Sequence, residues 1–197
     1  MIISIVCTSN ASNLSLVHPI RSYRTRSAQT APCTILDAAC ACIASPDTFI
    51  PVTIGSGHKQ ATLIDALATA ANPGKELLRE AQRVFGEEAE VATVLSIGVG
   101  KGDVWCASSA SGSELREAVR RATTSCEPVH QELYARLRGT SIYFRFNVER
   151  GSGPQIQLSS STISAYLEDG VVSDRVDDAI KSIDRRPTGI KLKDISE

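Results

Sequence analysis

The sequence lacks an excess of either charge and lacks any long apolar run. It carries 21 Lys and Arg against 22 Asp and Glu, a formal net charge of −1 at pH 7. Proteins that bind the phosphate backbone usually show a basic excess or stripe, so this balance argues against nucleic acid as a partner. No apolar run approaches the roughly 18–20 residues needed to span a bilayer. The first apolar run, residues 2–7, is too short for a signal peptide and has no basic segment before it.

Paired metal ligands and a nucleophile elbow are also missing. Neither the C-x-x-C nor the H-x-x-x-H spacing of zinc sites occurs, so we expect no metal site. The three histidines (His18, His58, His130) do not cluster. No serine has glycine at both −2 and +2, the pattern of the elbow that carries the nucleophile in many serine hydrolases. A Ser–His–Asp triad is therefore not indicated.

Cysteine is present six times, but without a secretion signal or a small disulfide-rich scaffold around it. This context favours reduced, packed thiols and a cytoplasmic protein, with peripheral attachment to membranes as a further option. The cysteines are Cys7, Cys33, Cys40, Cys42, Cys106 and Cys126.

Strand-like and helix-like segments alternate, which predicts an α/β layered fold. Residues 2–7 and 91–97 are continuous apolar runs, typical of strands buried on both faces, and we expect them to be parallel and close together in one sheet. Helices over 35–44 and 73–85 should pack on that sheet. The first begins with a capping-box pattern, Thr34-x-x-Asp37, and its expected buried face comprises Ile35, Ala38, Ala39, Cys42 and Ile43.

The remaining segments are less regular. Residues 8–33 are polar and predict an irregular segment. Two amphipathic helices are expected near 114–122 and 127–137. Residues 141–148 alternate as in a half-exposed strand, with Phe144 on the buried side and Arg145 on the exposed side. A last helix is expected over 172–183, followed by a loose tail.

A glycine-rich segment, residues 98–102, follows the run at 91–97. It fails the Walker pattern, because Leu95 stands where the first glycine is needed and Gly102 where Ser or Thr is needed. Lone glycine motifs have many false positives. Nucleotide binding is therefore a distant third hypothesis.

Asp65 is the residue that most suggests chemistry. It directly follows the apolar pair Leu63-Ile64, and the ends of strands are where α/β sheets place catalytic groups. An Asp in this position can equally cap a turn. The residues alone leave these two roles open.

Four segments, in order along the chain, resemble patatin-like phospholipases, strongly over residues 1–102 and more loosely to about 192. The box that begins at Asp65 and runs to Asn72-Pro73 is similar to the family's Asp-Gly-Gly or Asp-Gly-Ala box and its Asn-Asn-Pro. The other matching segments are Arg21-Ser22-Tyr23 with the opening strand, the small-residue helix and aromatic of residues 35–49, and Leu95-Ser96-Ile97-Gly98-Val99-Gly100.

The resemblance implies a layered α/β/α sheet and lipid acyl hydrolysis by a Ser–Asp dyad without a cofactor. The family places its serine on a GxSxG elbow and its oxyanion hole on a glycine-rich loop, and its Asp acts as the base. Asp65 matches that base. The substrate would be a lipid or a membrane surface. Residues 1–192 would form the C-terminal portion of such a domain, incomplete at its N-terminal side, with 193–197 as a loose tail.

This chain departs from the family at three points. Ala66 and Leu67 replace small residues, usually glycines, and would be strained if their φ were positive. Ala71 replaces the first Asn of the Asn-Asn-Pro. The elbow and the oxyanion loop have no counterpart here. Losing the nucleophile alone costs on the order of 10⁶ in kcat in serine hydrolases, and losing an oxyanion donor about 10² to 10³. We therefore expect no hydrolysis by this chain alone.

Two further expectations follow from an incomplete domain. One is self-association through an uncovered face or edge of the sheet, since exposed apolar patches usually mediate contacts. The other is an alternative function, in which the chain is a non-catalytic module that binds lipid or protein.

Overall fold

The computed structural model describes residues 3–25, 32–46, 48–98, 100, 111–148, 159–184 and 189–195, which form a mixed α/β structure. The chain divides into two compact units. The first comprises Met1–Pro73 with Ser111–Ser125, and the second comprises Gly74–Ala110 with Cys126–Glu197.

The first unit is built on a four-stranded antiparallel sheet in the order β2-β1-β4-β3. Its strands are β1 (Ile5–Asn10), β2 (Asn13–Arg21), β3 (Val52–Ile54) and β4 (Ala61–Asp65), and its helices are α1 (Ile35–Cys42), α2 (Leu67–Ala70) and α4 (Gly112–Thr123). Helix α4 agrees with the expected helix near 114–122. A single 3₁₀ turn, Gly57–Lys59, lies between β3 and β4.

Strand β2 was not expected, since residues 8–33 predicted an irregular segment. It pairs with β1 from Ile5↔Arg21 to Asn10↔Asn13, across a tight turn. Its first four residues, from Asn13 to Leu16, are exposed, and Pro19 lies within it. Both features are compatible with a strand at the edge of a sheet, where apolar alternation is weak and proline is tolerated. Pairing with β1 in a hairpin therefore makes a strand of residues whose polar sequence does not predict one.

The expected parallel pairing of residues 2–7 with 91–97 is wrong. Strand β1 lies between two antiparallel partners, β2 and β4. Strand β5 (Val94–Ile97) belongs to the second unit and pairs in parallel with β6 (Tyr143–Phe146). An apolar run reports that a strand is buried, but it does not identify its partner, which depends on turns and on contacts far apart in the sequence.

Helix α1 has the expected capping box but the opposite buried face. Thr34 and Asp37 exchange the two hydrogen bonds of the box. Ala41 and Ala44 are fully buried, whereas the large apolar side chains expected inside face solvent, with Ile35 91% and Ile43 55% exposed. Alanines allow a helix to approach a sheet closely, and Ala41 packs against Ile54 and Leu63 at this interface.

The second unit surrounds the two-stranded parallel sheet of β5 and β6 with helices. These are α3 (Gly74–Phe85), α5 (Glu127–Leu137), α6 (Ser160–Glu168), α7 (Gly170–Asp184) and α8 (Leu192–Ile195). Helices α3, α5 and α7 confirm the helices expected there. The core cluster of this unit consists of Leu78, Val94, Leu133, Leu137, Ile142, Leu192 and Ile195.

The C-terminal segment differs from the expected loose tail. Leu192 and Ile195 are 2% and 3% exposed within the core, and Val91 donates a backbone hydrogen bond to Ile190. Lys191 and Lys193 both bind Glu88, and these hydrogen bonds hold the pKa of Glu88 at about 2. Residues 189–195 are thus tied to the body of the unit, and residues 196–197 lie outside the described part.

Strand β6 occurs where alternation predicted it, but one of its assigned faces is wrong. Arg145 was expected to be exposed, but it retains only 7% of its accessible surface. Ile142, just before the strand, is also buried and retains 1%. Phe144 and Phe146, expected to be buried, are only half-buried. Both sides of β6 are covered, by α5 and by α7, so alternation does not separate an inner from an outer face.

Replacing Leu133 with alanine should destabilise the second unit by about 2–5 kcal/mol, since a fully buried leucine leaves a cavity. Leu167→Ala is the matched control, because this side chain is 47% exposed and its loss should change the free energy of unfolding by less than about 0.5 kcal/mol. Urea denaturation followed by circular dichroism measures both. Equal midpoints for the two variants would contradict the assigned core.

Candidate functional site

Asp65 is the last residue of β4, at the carboxyl end of a buried strand, as the sequence predicted. Leu63 and Ile64 before it are 1% and 8% exposed, and Asp65 itself is 9% exposed. Its backbone N–H donates to the carbonyl of Ala44 at 3.2 Å, just beyond α1. The strand end is therefore fixed from both β4 and α1.

The carboxylate of Asp65 is oriented by the chain that follows it. Its Oδ1 accepts a hydrogen bond from the backbone N–H of Leu67, at 3.2 Å, where α2 begins. This is the turn-capping role that the sequence left open. The other oxygen, Oδ2, accepts no hydrogen bond from the described residues, and Asp65 forms no ion pair with them. One carboxylate oxygen thus remains available for a further partner.

No hydroxyl of the described residues is placed as a nucleophile for Asp65. Thr8 lies directly opposite Asp65 in the β1–β4 register, but its Oγ1 donates to the carbonyl of His18 at 2.6 Å. Ser9 is paired with Ile64, so it projects to the other face of the sheet, where its hydroxyl bonds that of Thr69 at 2.8 Å. The site holds a candidate base without an adjacent nucleophile.

The two residues after Asp65 adopt ordinary backbone conformations. Ala66 has φ −101° and ψ 19°, and Leu67 is the first residue of α2. Among the described residues, the one non-glycine with a positive φ is Ser141. The departures from the family's glycines at 66 and 67 therefore introduce no backbone strain.

The glycine-rich segment uses its described N–H groups within the protein. Gly98 donates to the carbonyl of Phe146, and Gly100 donates to Oδ1 of Asn147, each at 2.8 Å. Residues 99, 101 and 102 lie outside the described part. A phosphate loop needs free N–H groups that point at the ligand, so these contacts argue against nucleotide binding here.

The cysteines and possible metal ligands give no further site. Within the described ranges, no three His, Cys, Asp or Glu side chains group around a common point. Cys7, Cys33 and Cys126 are half-buried and form no disulfide, whereas Cys40 and Cys42 are exposed on α1, contrary to the expectation of packing. Cys106 lies outside the described residues. No helix among the described residues has the length and apolarity that a membrane crossing requires.

One buried polar residue, Arg145, was missed by the sequence reasoning. Alternation along 141–148 assigned it to solvent, but it lies in the interior of the second unit beside Ser96. No local signal in the sequence distinguishes it from a surface arginine. Its position depends on the pairing of β6 with β5.

Comparison of the chain with protein-family models, with curated proteins and with solved structures gives no match.

Replacing Asp65 with alanine should destabilise the first unit by about 1 kcal/mol, because the N–H of Leu67 loses its acceptor. Asp65→Asn should have a smaller effect, since an amide oxygen can accept the same hydrogen bond. The free energy of unfolding of each variant in urea measures the difference. Equal loss in both variants would show that the negative charge, and not the hydrogen bond, stabilises the turn.

Proposed function

We propose that this chain is part of a patatin-like lipid acyl hydrolase domain, with Asp65 as the base of a Ser–Asp dyad. The serine elbow and the oxyanion loop, which the family carries N-terminal to the matching segments, are absent from these 197 residues. Ester-bearing lipid is the proposed substrate of the complete domain, and the proposed architecture is a layered α/β/α sheet.

The outward face of α1 is the observation that carries this proposal. The helix buries Ala41 against the sheet and presents its large apolar side chains to solvent. Ile35 is 91% exposed, and Ile43 follows it on the same side of the helix at 55% exposed. A helix in the middle of a layered domain is apolar all round, because it packs on both sides. This face therefore favours a further layer of structure over α1.

The geometry of Asp65 supports the same proposal. A dyad base must reach the nucleophile at hydrogen-bond distance, about 2.6–3.2 Å. Oδ1 of Asp65 is held by Leu67, and Oδ2 accepts nothing from the described residues. A carboxylate fixed by one oxygen and open at the other is oriented before a partner hydroxyl arrives.

The chain alone should not hydrolyse esters. The hydroxyls nearest to Asp65 in the sheet, those of Thr8 and Ser9, are engaged elsewhere. Without an activated nucleophile there is no acyl-enzyme intermediate, and a carboxylate by itself provides no equivalent route.

Co-expressing this chain with the serine-bearing half of an intact patatin-like hydrolase should produce hydrolysis of p-nitrophenyl butyrate that depends on Asp65. We expect activity with the wild-type chain, loss by at least about 10³-fold with Asp65→Asn, and no activity from the chain alone. Asp174→Asn is the control, because Asp174 is exposed on α7. The rate of p-nitrophenol release is the measurement.

Co-purification of the two halves decides how an inactive mixture is interpreted. Halves that form a stoichiometric complex without activity would contradict the role of Asp65. Halves that do not associate at all would contradict the proposal that a further layer covers α1. Robust hydrolysis by the chain alone, abolished by Asp65→Asn, would also overturn the proposal.

A second candidate function is a non-catalytic module that binds lipid or protein through the same apolar face of α1. The observation in its favour is that Leu36 and Phe49 are also exposed, at 71% and 54%. In this reading the uncovered face mediates association without chemistry.

The Ile35→Glu variant should reduce self-association of the isolated chain, because it places a charge on the apolar face of α1. An acidic residue in the first turn of a helix is favourable, so the fold should be retained. Val171→Glu is the matched control, in the first turn of α7 and 70% exposed. Light scattering during size-exclusion chromatography measures the mass of each. A chain that is monomeric at all concentrations would contradict self-association through this face.

A further inference from the structure

The carboxyl end of the parallel pair β5–β6 contains a buried arginine. Ser96 and Arg145 are directly opposite each other in the register, one residue before each strand ends. Open α/β sheets bind ligands at the carboxyl ends of their parallel strands. Arg145 is 7% exposed, so its guanidinium lies in the second unit with little contact to bulk water.

The described residues use one edge of this guanidinium. Nη1 donates to Oγ of Ser96 at 2.8 Å. Nε is buried without a partner, Nη2 forms no hydrogen bond with the described residues, and none of their carboxylates pairs with Arg145. Nε and Nη2 together form a two-donor edge that matches the spacing of oxygens in a carboxylate or phosphate.

Gly98 lies close against this edge. A Cβ on Gly98 would lie 2.9 Å from Nη2 of Arg145 and 2.3 Å from Oδ1 of Asn147. Asn147 is itself held by the N–H of Gly100 and donates its own N–H to the hydroxyl of Tyr166. A side chain at position 98 would therefore collide with Asn147 and crowd Nη2 of Arg145.

A second cation, from a neighbouring helix, lies against the same strand. The guanidinium of Arg175, from α7, lies over the ring of Phe146 at 5.8 Å and donates from Nη2 to the carbonyl of Arg145 at 3.1 Å. The carbonyl and the aromatic face only partly balance its charge. The end of β6 thus carries two positive charges, with no acidic partner for Arg145 among the described residues.

We propose that Arg145 binds an oxyanion, a carboxylate or a phosphate group, through its Nε and Nη2. A buried charge without a counter-charge is costly, and a single neutral hydroxyl does not compensate it. An anion on the open edge supplies both the missing charge and the missing acceptors. The site belongs to the second unit and goes beyond the proposed role of Asp65.

Titration of the full chain with inorganic phosphate, at constant ionic strength set by NaCl, tests the proposal. The ¹⁵N-detected Nε–Hε signal of Arg145 should shift and saturate, and the melting temperature should rise with phosphate, since the ligand binds the folded state. Arg145→Lys should weaken the apparent affinity by at least about 10-fold, because lysine lacks the planar two-donor edge. Arg138→Lys, at an exposed site of the same unit, should leave it unchanged.

Two further ligands separate the sources of the anion. Acetate tests whether the site binds a bare carboxylate, and dihexanoyl phosphatidic acid tests whether it binds a lipid phosphate. Tighter binding of the lipid than of inorganic phosphate would assign the site to a lipid headgroup, and the reverse order would assign it to a free phosphate or carboxylate.

An Arg145 Nε–Hε signal that none of these anions shifts would overturn the proposal. Equal affinities of the wild-type chain and Arg145→Lys would do so as well. Should Arg145→Lys fail to fold, the titration of the wild-type Nε–Hε signal still decides the result. Gly98→Ala provides a second variant, which should weaken binding by placing a methyl group beside Nη2.

Discussion

The first unit depends on the close packing of α1 on β4 through alanine. Ala41 is in van der Waals contact with the core residues Ile54 and Leu63, and Ala44 accepts the backbone hydrogen bond of Asp65. Larger residues in these places would hold the helix away from the strand and remove that hydrogen bond. The same packing turns Ile35 outward. One constraint therefore fixes the candidate base and leaves an apolar face uncovered.

The second unit has a polar row within a largely apolar interior. Along one side of β5–β6, His130 contacts the hydroxyl of Tyr143 at 3.1 Å, and Ser96 accepts from Arg145. Burial raises the pKa of Tyr143, which keeps its hydroxyl neutral. Polar groups inside a protein stabilise a unique arrangement only when each has a partner. Among the described residues, the row meets this condition except along the Nε–Nη2 edge of Arg145, which is why that edge points to a ligand.

The two units therefore show different kinds of incomplete surface. In the first, a helix exposes apolar side chains that a further layer of a hydrolase domain would cover, and Asp65 keeps one oxygen available. In the second, an arginine lacks an acceptor that an anion would supply. The two features rest on separate residues and contacts, so evidence for one does not depend on the other.

The sequence by itself determined the mixed α/β class, the positions of helices α3, α4, α5 and α7, the capping box at Thr34 and the place of Asp65 at a strand end. These follow from local pattern, since capping residues and helical periodicity act within a few residues of chain. It also carried the resemblance on which the proposed hydrolase role depends.

Only the tertiary structure decided strand partners, the buried face of α1 and the burial of Arg145. The N-terminal apolar run and the run ending at Ile97 look alike in sequence, yet one pairs antiparallel in a hairpin and the other parallel with β6. Alternation placed Arg145 in solvent, because it assumes that one face of a strand is free. Whether a residue is buried depends on what packs against it. Those neighbours come from elements distant in the chain, so the local sequence pattern does not predict them.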